Sequence, residues 1–340
     1  MTGAQMAAEM AEQPQVLAAL AGRRAELAEQ VRAARPEPLL GTVLVARGSS
    51  DHAAVFGRYL LEPVTRRPVA LAAPSLMTLY GEDLDCSGYL VIATSQSGRT
   101  PEIATVAERM GAAGGRTLAI TNEGDSPLAR TAEGVIALGA GDEQAVPATK
   151  TFTATAAAFA LAAEALATVP FDAGAWERLP GAVEEVLGDP APAERAAQAL
   201  LDAGGLLAVG RGPAFAMALE AALKLKETTQ LLAEGYSSAD LRHGPKAVVS
   251  AGFAVLTLSV AGPAAADVAD LATELRGRGA RVHEIADRPD ADLPIPSGLP
   301  EPLAAIVAVV RAQQLALALA RARGLDPDSP AGLSKVTPTT

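Results

Sequence analysis

Cysteine is almost missing from this 340-residue chain. Cys86 stands alone, so no intrachain disulfide can form, and a reducing, cytoplasmic setting is expected. No motif surrounds it, and it precedes an apolar run, so it reads as a buried structural thiol. Basic clusters interleaved with aromatics are also missing: aromatics make up 3% and the formal net charge is −11, which argues against nucleic-acid binding. The opening Met1-Thr2-Gly3-Ala4-Gln5 has no basic region followed by an apolar one, so no signal peptide is read. Thr153–Leu166 is built of small residues and carries Glu164, and Leu303–Ala322 is interrupted by Arg311, Gln313 and Gln314. Neither suits a bilayer, and no membrane partner is expected. Histidines number three, and no His, Cys, Asp or Glu spacing fits a metal, so neither metal nor cofactor is expected.

What is present is an ordinary globular composition, 49% hydrophobic and 20% charged, long enough for about two domains. Residues 5–34 read as helix, ended by Pro36-Glu37-Pro38. Short apolar runs then alternate with helical patterns: Thr42–Ala46, Tyr89–Ala93, Thr117–Thr121 and Val135–Leu138, then again Leu206–Val209, Phe253–Ser259 and Arg281–Ile285. Continuous apolar strands between helices predict parallel sheets covered on both faces, a doubly wound α/β fold. Val43-Leu44-Val45-Ala46-Arg47-Gly48 and Leu207-Ala208-Val209-Gly210-Arg211-Gly212 share one strand-to-helix signature. Two related units follow, joined near Pro170–Pro192: a helical segment 1–36, domains 37–170 and 190–325, and an extended tail 326–340.

Ser95-Gln96-Ser97-Gly98-Arg99-Thr100 lies where a buried strand turns into a helix. Unpaired N–H groups at the helix start, with Ser/Thr hydroxyls beside them, suit a phosphate; Gly98 allows close approach, and Pro101 suits the first helical position. A plain N-cap needs one hydroxyl, whereas this stretch holds three. Arg47-Gly48-Ser49-Ser50-Asp51-His52 forms a second such turn, expected on the same sheet edge. His52 reads there as structural or supporting. A helix is predicted over Ala216–Glu234, with Glu220, Lys224, Glu227 and Leu231 on one face. A surface Glu–Lys ladder is one reading, and a proton-transfer pair beside a cleft is the other. His243, in Asp240-Leu241-Arg242-His243-Gly244-Pro245, is a base candidate on a tight turn, and His283 in a strand-like run reads as structural.

Together these segments resemble the isomerase half of glutamine–fructose-6-phosphate aminotransferase, a member of the sugar-isomerase (SIS) family. The resemblance runs from about residue 37 to 337. Its other matching stretches are Val146-Pro147-Ala148-Thr149-Lys150-Thr151-Phe152, Ala218–Glu227, His243-Gly244-Pro245 and Leu333-Ser334-Lys335-Val336-Thr337. The aminotransferase has a glutaminase domain with an N-terminal cysteine that has no counterpart in this sequence, which points to the stand-alone SIS-type glucosamine-6-phosphate deaminases. Arg99 departs from the aminotransferase's usual Glu, Pro147-Ala148 from Ala-Ser, and Arg47 from Cys. The resemblance implies two flavodoxin-like SIS domains and a hexosamine or hexose 6-phosphate as partner. Ser49, Ser50, Ser95, Gln96, Ser97 and Thr100 would hold the phosphate, and Gly48, Val146 and Ala148 the sugar. His243 would assist ring opening, Glu227 would move a proton between C1 and C2, Lys224 would stabilise developing charge, and Lys335 would close over the carbonyl. A homodimer with the histidine loop crossing to the partner's site is also implied. Alternatives are an aldose–ketose isomerase, a deaminase of galactosamine 6-phosphate or a fructosamine phosphate, and a sensor without turnover. The 1–36 segment is too short for the DNA-binding domain such sensors carry.

Overall fold

The computed structural model describes residues 2–335. They form two compact units. The first comprises Val16–Asp142 and Ala154–Pro170, and the second comprises residues 2–15, Glu143–Thr153 and beyond Phe171.

In the first unit, β1 (Gly41–Val45), β2 (Val69–Leu71), β3 (Tyr89–Thr94), β4 (Arg116–Thr121) and β5 (Gly134–Ala137) form one sheet ordered β2-β1-β3-β4-β5. Every pairing is parallel, with Val45 opposite Ala93. The strands are apolar on both faces because helices cover both. Val45, Val91, Ile103, Val106, Met110 and Cys86 are buried in one cluster. Burial also pushes the Cys86 thiol pKa up, which makes it a packing residue and not a nucleophile.

In the second unit, β6 (Gly205–Gly210), β7 (Leu232–Ser237), β8 (Ala254–Ser259), β9 (Arg281–Ala286) and β10 (Leu293–Pro294) are again parallel, ordered β10-β9-β8-β6-β7. Counted within the unit, this is the same 2-1-3-4-5 plan. Among the described residues one helix, Glu301–Ala322, is long and apolar enough to cross a bilayer, yet 94% of its apolar window is buried. Its polar residues are paired inside: Arg311 donates to the Pro294 and Asp189 carbonyls, and Gln314 to that of Val186. It is a core helix of this unit.

The duplication reaches the backbone angles. Gly48 (φ 58°, ψ −134°) and Gly212 (φ 60°, ψ −140°) each open a 17-residue helix, Ser49–Thr65 and Pro213–Thr229. Each helix closes on a left-handed residue, Arg66 and Gln230, the two non-glycine residues with positive φ among those described.

Several expectations change. The 5–34 helix is three helices, Ala4–Ala11, Gln13–Gly22 and Arg24–Ala34. Pro14 has no N–H to donate back to Met10, and the Gln13 side chain donates to that carbonyl instead, at 3.1 Å. The helix predicted to reach Glu234 stops at Thr229, where Gln230 turns left-handed and β7 begins, so Leu231 leaves the shared face. The join near Pro170–Pro192 contains a helix, Ala173–Gly188, capped by Asp172, which accepts from the Ala175 N–H. The tail beyond Gly324 has no regular element through Lys335, and Val336 and Thr337 lie outside the described residues.

Candidate functional site

In the first unit, the chain reverses direction across the sheet between β1 and β3, and both hydroxyl-rich turns leave the carboxyl ends of these neighbouring strands. Doubly wound sheets bind ligands at this switch point. Ser49 and Ser50 are the first residues of their helix, so their N–H groups precede the helical ladder. In the other turn Ser95 is buried and its Oγ lies 3.2 Å from Thr100 Oγ1 while accepting from the Gly98 N–H. Ser97 Oγ accepts from the Arg99 N–H, and the Gln96 carbonyl is held by the Asn122 N–H. Gly98 is required here for a different reason than expected: with φ 60°, an added Cβ would overlap Ser126 and Thr121, so the close approach is to protein. Gln96 and Ser97 are half-buried, partly open to solvent.

Arg47 ties the two turns together. Its Nε and Nη2 donate to the two oxygens of Glu102 at 2.8 and 2.9 Å, a bidentate pair across the switch point. Glu102 is 5% exposed and Arg47 46%. Neither partner was singled out as a pair by the sequence, since 55 positions separate them.

In the second unit, the Pro213–Thr229 helix carries Glu220, Lys224 and Glu227 as one connected cluster. Lys224 Nζ lies 3.3 Å from Glu220 and 2.5 Å from Glu227. Glu220 and Lys224 have no exposure, whereas Glu227 is 19% exposed. The exposed-ladder alternative therefore fails, because these charges are inside. Burial works to lower the Lys224 pKa, but Glu220 and Glu227 outweigh it and hold the ammonium above the ordinary lysine range. Lys224 is thus a fixed positive charge and hydrogen-bond donor, and Glu227 is the member of the three that reaches solvent.

Lys335 is seated on Glu143. Its Nζ is 2.7 Å from Glu143 Oε2 and 2.7 Å from the Ala145 carbonyl. Glu143 also accepts from the Thr149 N–H, the Thr151 N–H and the Thr151 hydroxyl. Burial alone would raise its pKa, but Lys335 and these donors prevail and hold it below the usual carboxylate range. Glu9 supports the same loop by accepting from the Gln144 and Ala145 N–H groups. Val146 follows, its N–H bonded to the Asp328 carbonyl, and Ala148 is half-buried beyond it. His243 sits exposed at the end of the Ser238–Arg242 helix. Among the described residues, His243, Lys335 and Glu227 make no hydrogen bond or ion pair with one another.

The second unit's own switch point, between β6 and β8, carries Gly212 and Gly262 but is occupied. The Glu301 side chain packs against both glycines: a Cβ at Gly262 would overlap its carboxyl group, and its Oε1 lies 3.5 Å from the Cβ position of Gly212. Burial raises the Glu301 pKa.

Residues 42–165 and 199–319 match the SIS domain family. A glutamine–fructose-6-phosphate aminotransferase (isomerizing) of Symbiobacterium thermophilum is 34% identical over 322 residues, covering 89% of this chain and 52% of that protein. The chain spans about half the length of the curated relatives it matches. Among solved structures, a protein of Silicibacter pomeroyi DSS-3 assigned as a phosphosugar isomerase is 32% identical with TM-score 0.87, covering 96% of this chain and all of that one. The glucosamine-6-phosphate deaminase of Thermotoga maritima is 26% identical with TM-score 0.74, covering 95% and 99%.

Proposed function

The chain belongs to the SIS domain family, and from that footing we propose that it is an enzyme of sugar phosphates that converts glucosamine 6-phosphate and water into fructose 6-phosphate and ammonia. The observation that carries this most is the buried Glu220–Lys224–Glu227 cluster, in which only Glu227 reaches solvent. One exchangeable carboxylate beside a permanent ammonium suits a proton transfer in which negative charge develops on the substrate. The similarity to the glucosamine-6-phosphate deaminase of Thermotoga maritima supports an amino-sugar phosphate as substrate class, and that to the aminotransferase supports fructose 6-phosphate.

In this reading Ser49, Ser50, Ser95, Gln96, Ser97 and Thr100 hold the phosphate, while Gly48, Val146 and Ala148 face the sugar. His243 takes part in ring opening, and its exposed turn suits delivery to a second copy in a homodimer. Glu227 removes the proton from C2 of the open-chain aldehyde and returns it to C1, while a second proton passes from the C2 amine to O1, leaving a C1 hydroxyl and an imine at C2. Lys224 stabilises the enolate-like charge between those steps. Water adds to the imine carbon, the C–N bond breaks, and ammonia leaves as the ketone forms. Lys335, released from Glu143, contacts the open-chain carbonyl.

The test is ammonia release from glucosamine, galactosamine and fructosamine phosphates, with Glu227→Gln as control. Ammonia from glucosamine 6-phosphate that falls at least 100-fold in the variant is expected. Aldose–ketose interconversion without ammonia would replace deamination with simple isomerisation. Binding without turnover of any of them would leave a sensor.

A further inference from the structure

Both helices whose N-termini face the candidate phosphate cradle carry an acid in the first turn: Asp51 on Ser49–Thr65 and Glu102 on Pro101–Ala112. Such acids favour a helix start, but they oppose an incoming dianion there. Glu102 is nearly fully buried, so solvent screens it little. Asp51 is partly desolvated, and burial raises its pKa, with His52 and Arg47 working the other way. Arg47 is the cation these two acids share: it pairs with Glu102 through both guanidinium nitrogens and interacts electrostatically with Asp51.

We propose that Arg47 is a charge-balancing positioning residue of the phosphate cradle, which cancels the first-turn carboxylates so that the two helix starts can attract a phosphate dianion. The inference rests on the phosphate role proposed above for these turns. It differs from a plain strut. A strut joining the β1 and β3 turns would fail equally when either partner is removed. A charge balancer fails when Arg47 is lost and Glu102 stays, and recovers when Glu102 is neutralised too.

Affinity for glucosamine 6-phosphate, glucosamine and inorganic phosphate is measured by calorimetry in the intact chain. Arg47→Met should weaken glucosamine 6-phosphate and inorganic phosphate about tenfold or more, with glucosamine unchanged. Glu102→Gln should tighten both phosphate ligands severalfold. Arg47→Met/Glu102→Gln should return within about threefold of the native affinity, because the buried carboxylate is gone and only Asp51, opposed by His52, remains of the two acids. If Arg47→Met does not fold, Glu102→Gln and the double variant still decide the matter. Weaker phosphate binding in Glu102→Gln, or a double variant no better than Arg47→Met alone, overturns the charge-balancing role. Ser97→Ala separates the two levels. If it weakens phosphate while the Arg47 and Glu102 variants do not behave as stated, only the role of Arg47 falls. If the native chain gains nothing from the phosphate group, or Ser97→Ala costs nothing, the cradle itself is refuted.

Discussion

At the scale of single residues, the most exacting position is Lys224. Removing it as Lys224→Met takes from Glu220 and Glu227 the ammonium they share, and Glu220 has no exposure. A loss of about 3–5 kcal/mol in urea-induced unfolding is expected. Glu227→Gln should lose less than half of that, since Glu227 reaches solvent and Lys224 keeps Glu220. The residues easiest to find in the sequence were those whose chemistry is local: the Ser–Gly turns, and Glu220, Lys224 and Glu227 within two helical turns. Those that escaped depend on distant partners. Glu102 escaped because its partner Arg47 lies 55 positions away, and Glu143 because Lys335 lies 192 away. Glu143 stood out by no spacing at all, and only its buried donors reveal it.

At the scale of elements, every interior strand was legible, and three of the four edge strands were not. Apart from β9, which carries Arg281, His283 and Glu284, the interior strands are largely apolar and read as near-continuous runs. The edges β2 and β10 have three and two residues, and β7, Leu-Ala-Glu-Gly-Tyr-Ser, mixes exposed and buried positions. The extra length assigned to the Pro213–Thr229 helix has the same origin: without a visible strand, nothing stopped the helical pattern. The stop is Gln230, exposed and left-handed with φ 56°. Gln230→Gly should be neutral or stabilising by up to about 1 kcal/mol, as relief of the left-handed conformation is partly offset by unfolded-state entropy. Gln230→Val should destabilise by about 1–3 kcal/mol, because a β-branched residue tolerates that conformation poorly. Thermal unfolding of the two variants beside the native chain checks the pair.

At the scale of the whole molecule, stability should depend on pH through His283 on β9. Burial lowers its pKa, with Asp292 opposing and Arg281 and Arg276 assisting. The unfolded chain therefore binds this proton more readily than the folded one. Its contribution is complete above about pH 6.5 and is lost as pH falls through the lowered folded value. Unfolding free energy measured between pH 7 and 5 should decline, and His283→Gln should flatten that decline. An unchanged slope would assign it to other groups. Two-domain organisation was readable from the repeated strand–Arg-Gly signature, while the assignment of 143–153 to the second unit was not, because it is made by contacts with residues 2–15 and the tail.

The internal duplication is complete in its strand order and its Gly48/Gly212 entry angles, yet the copies differ at their switch points. Glu301 corks the later one with a carboxylate of its own. A fold made of two sockets should consequently take up one anion per polypeptide. A phosphate titration of the native chain should reach a stoichiometry of one, and Glu301→Ala should add a second, weaker equivalent.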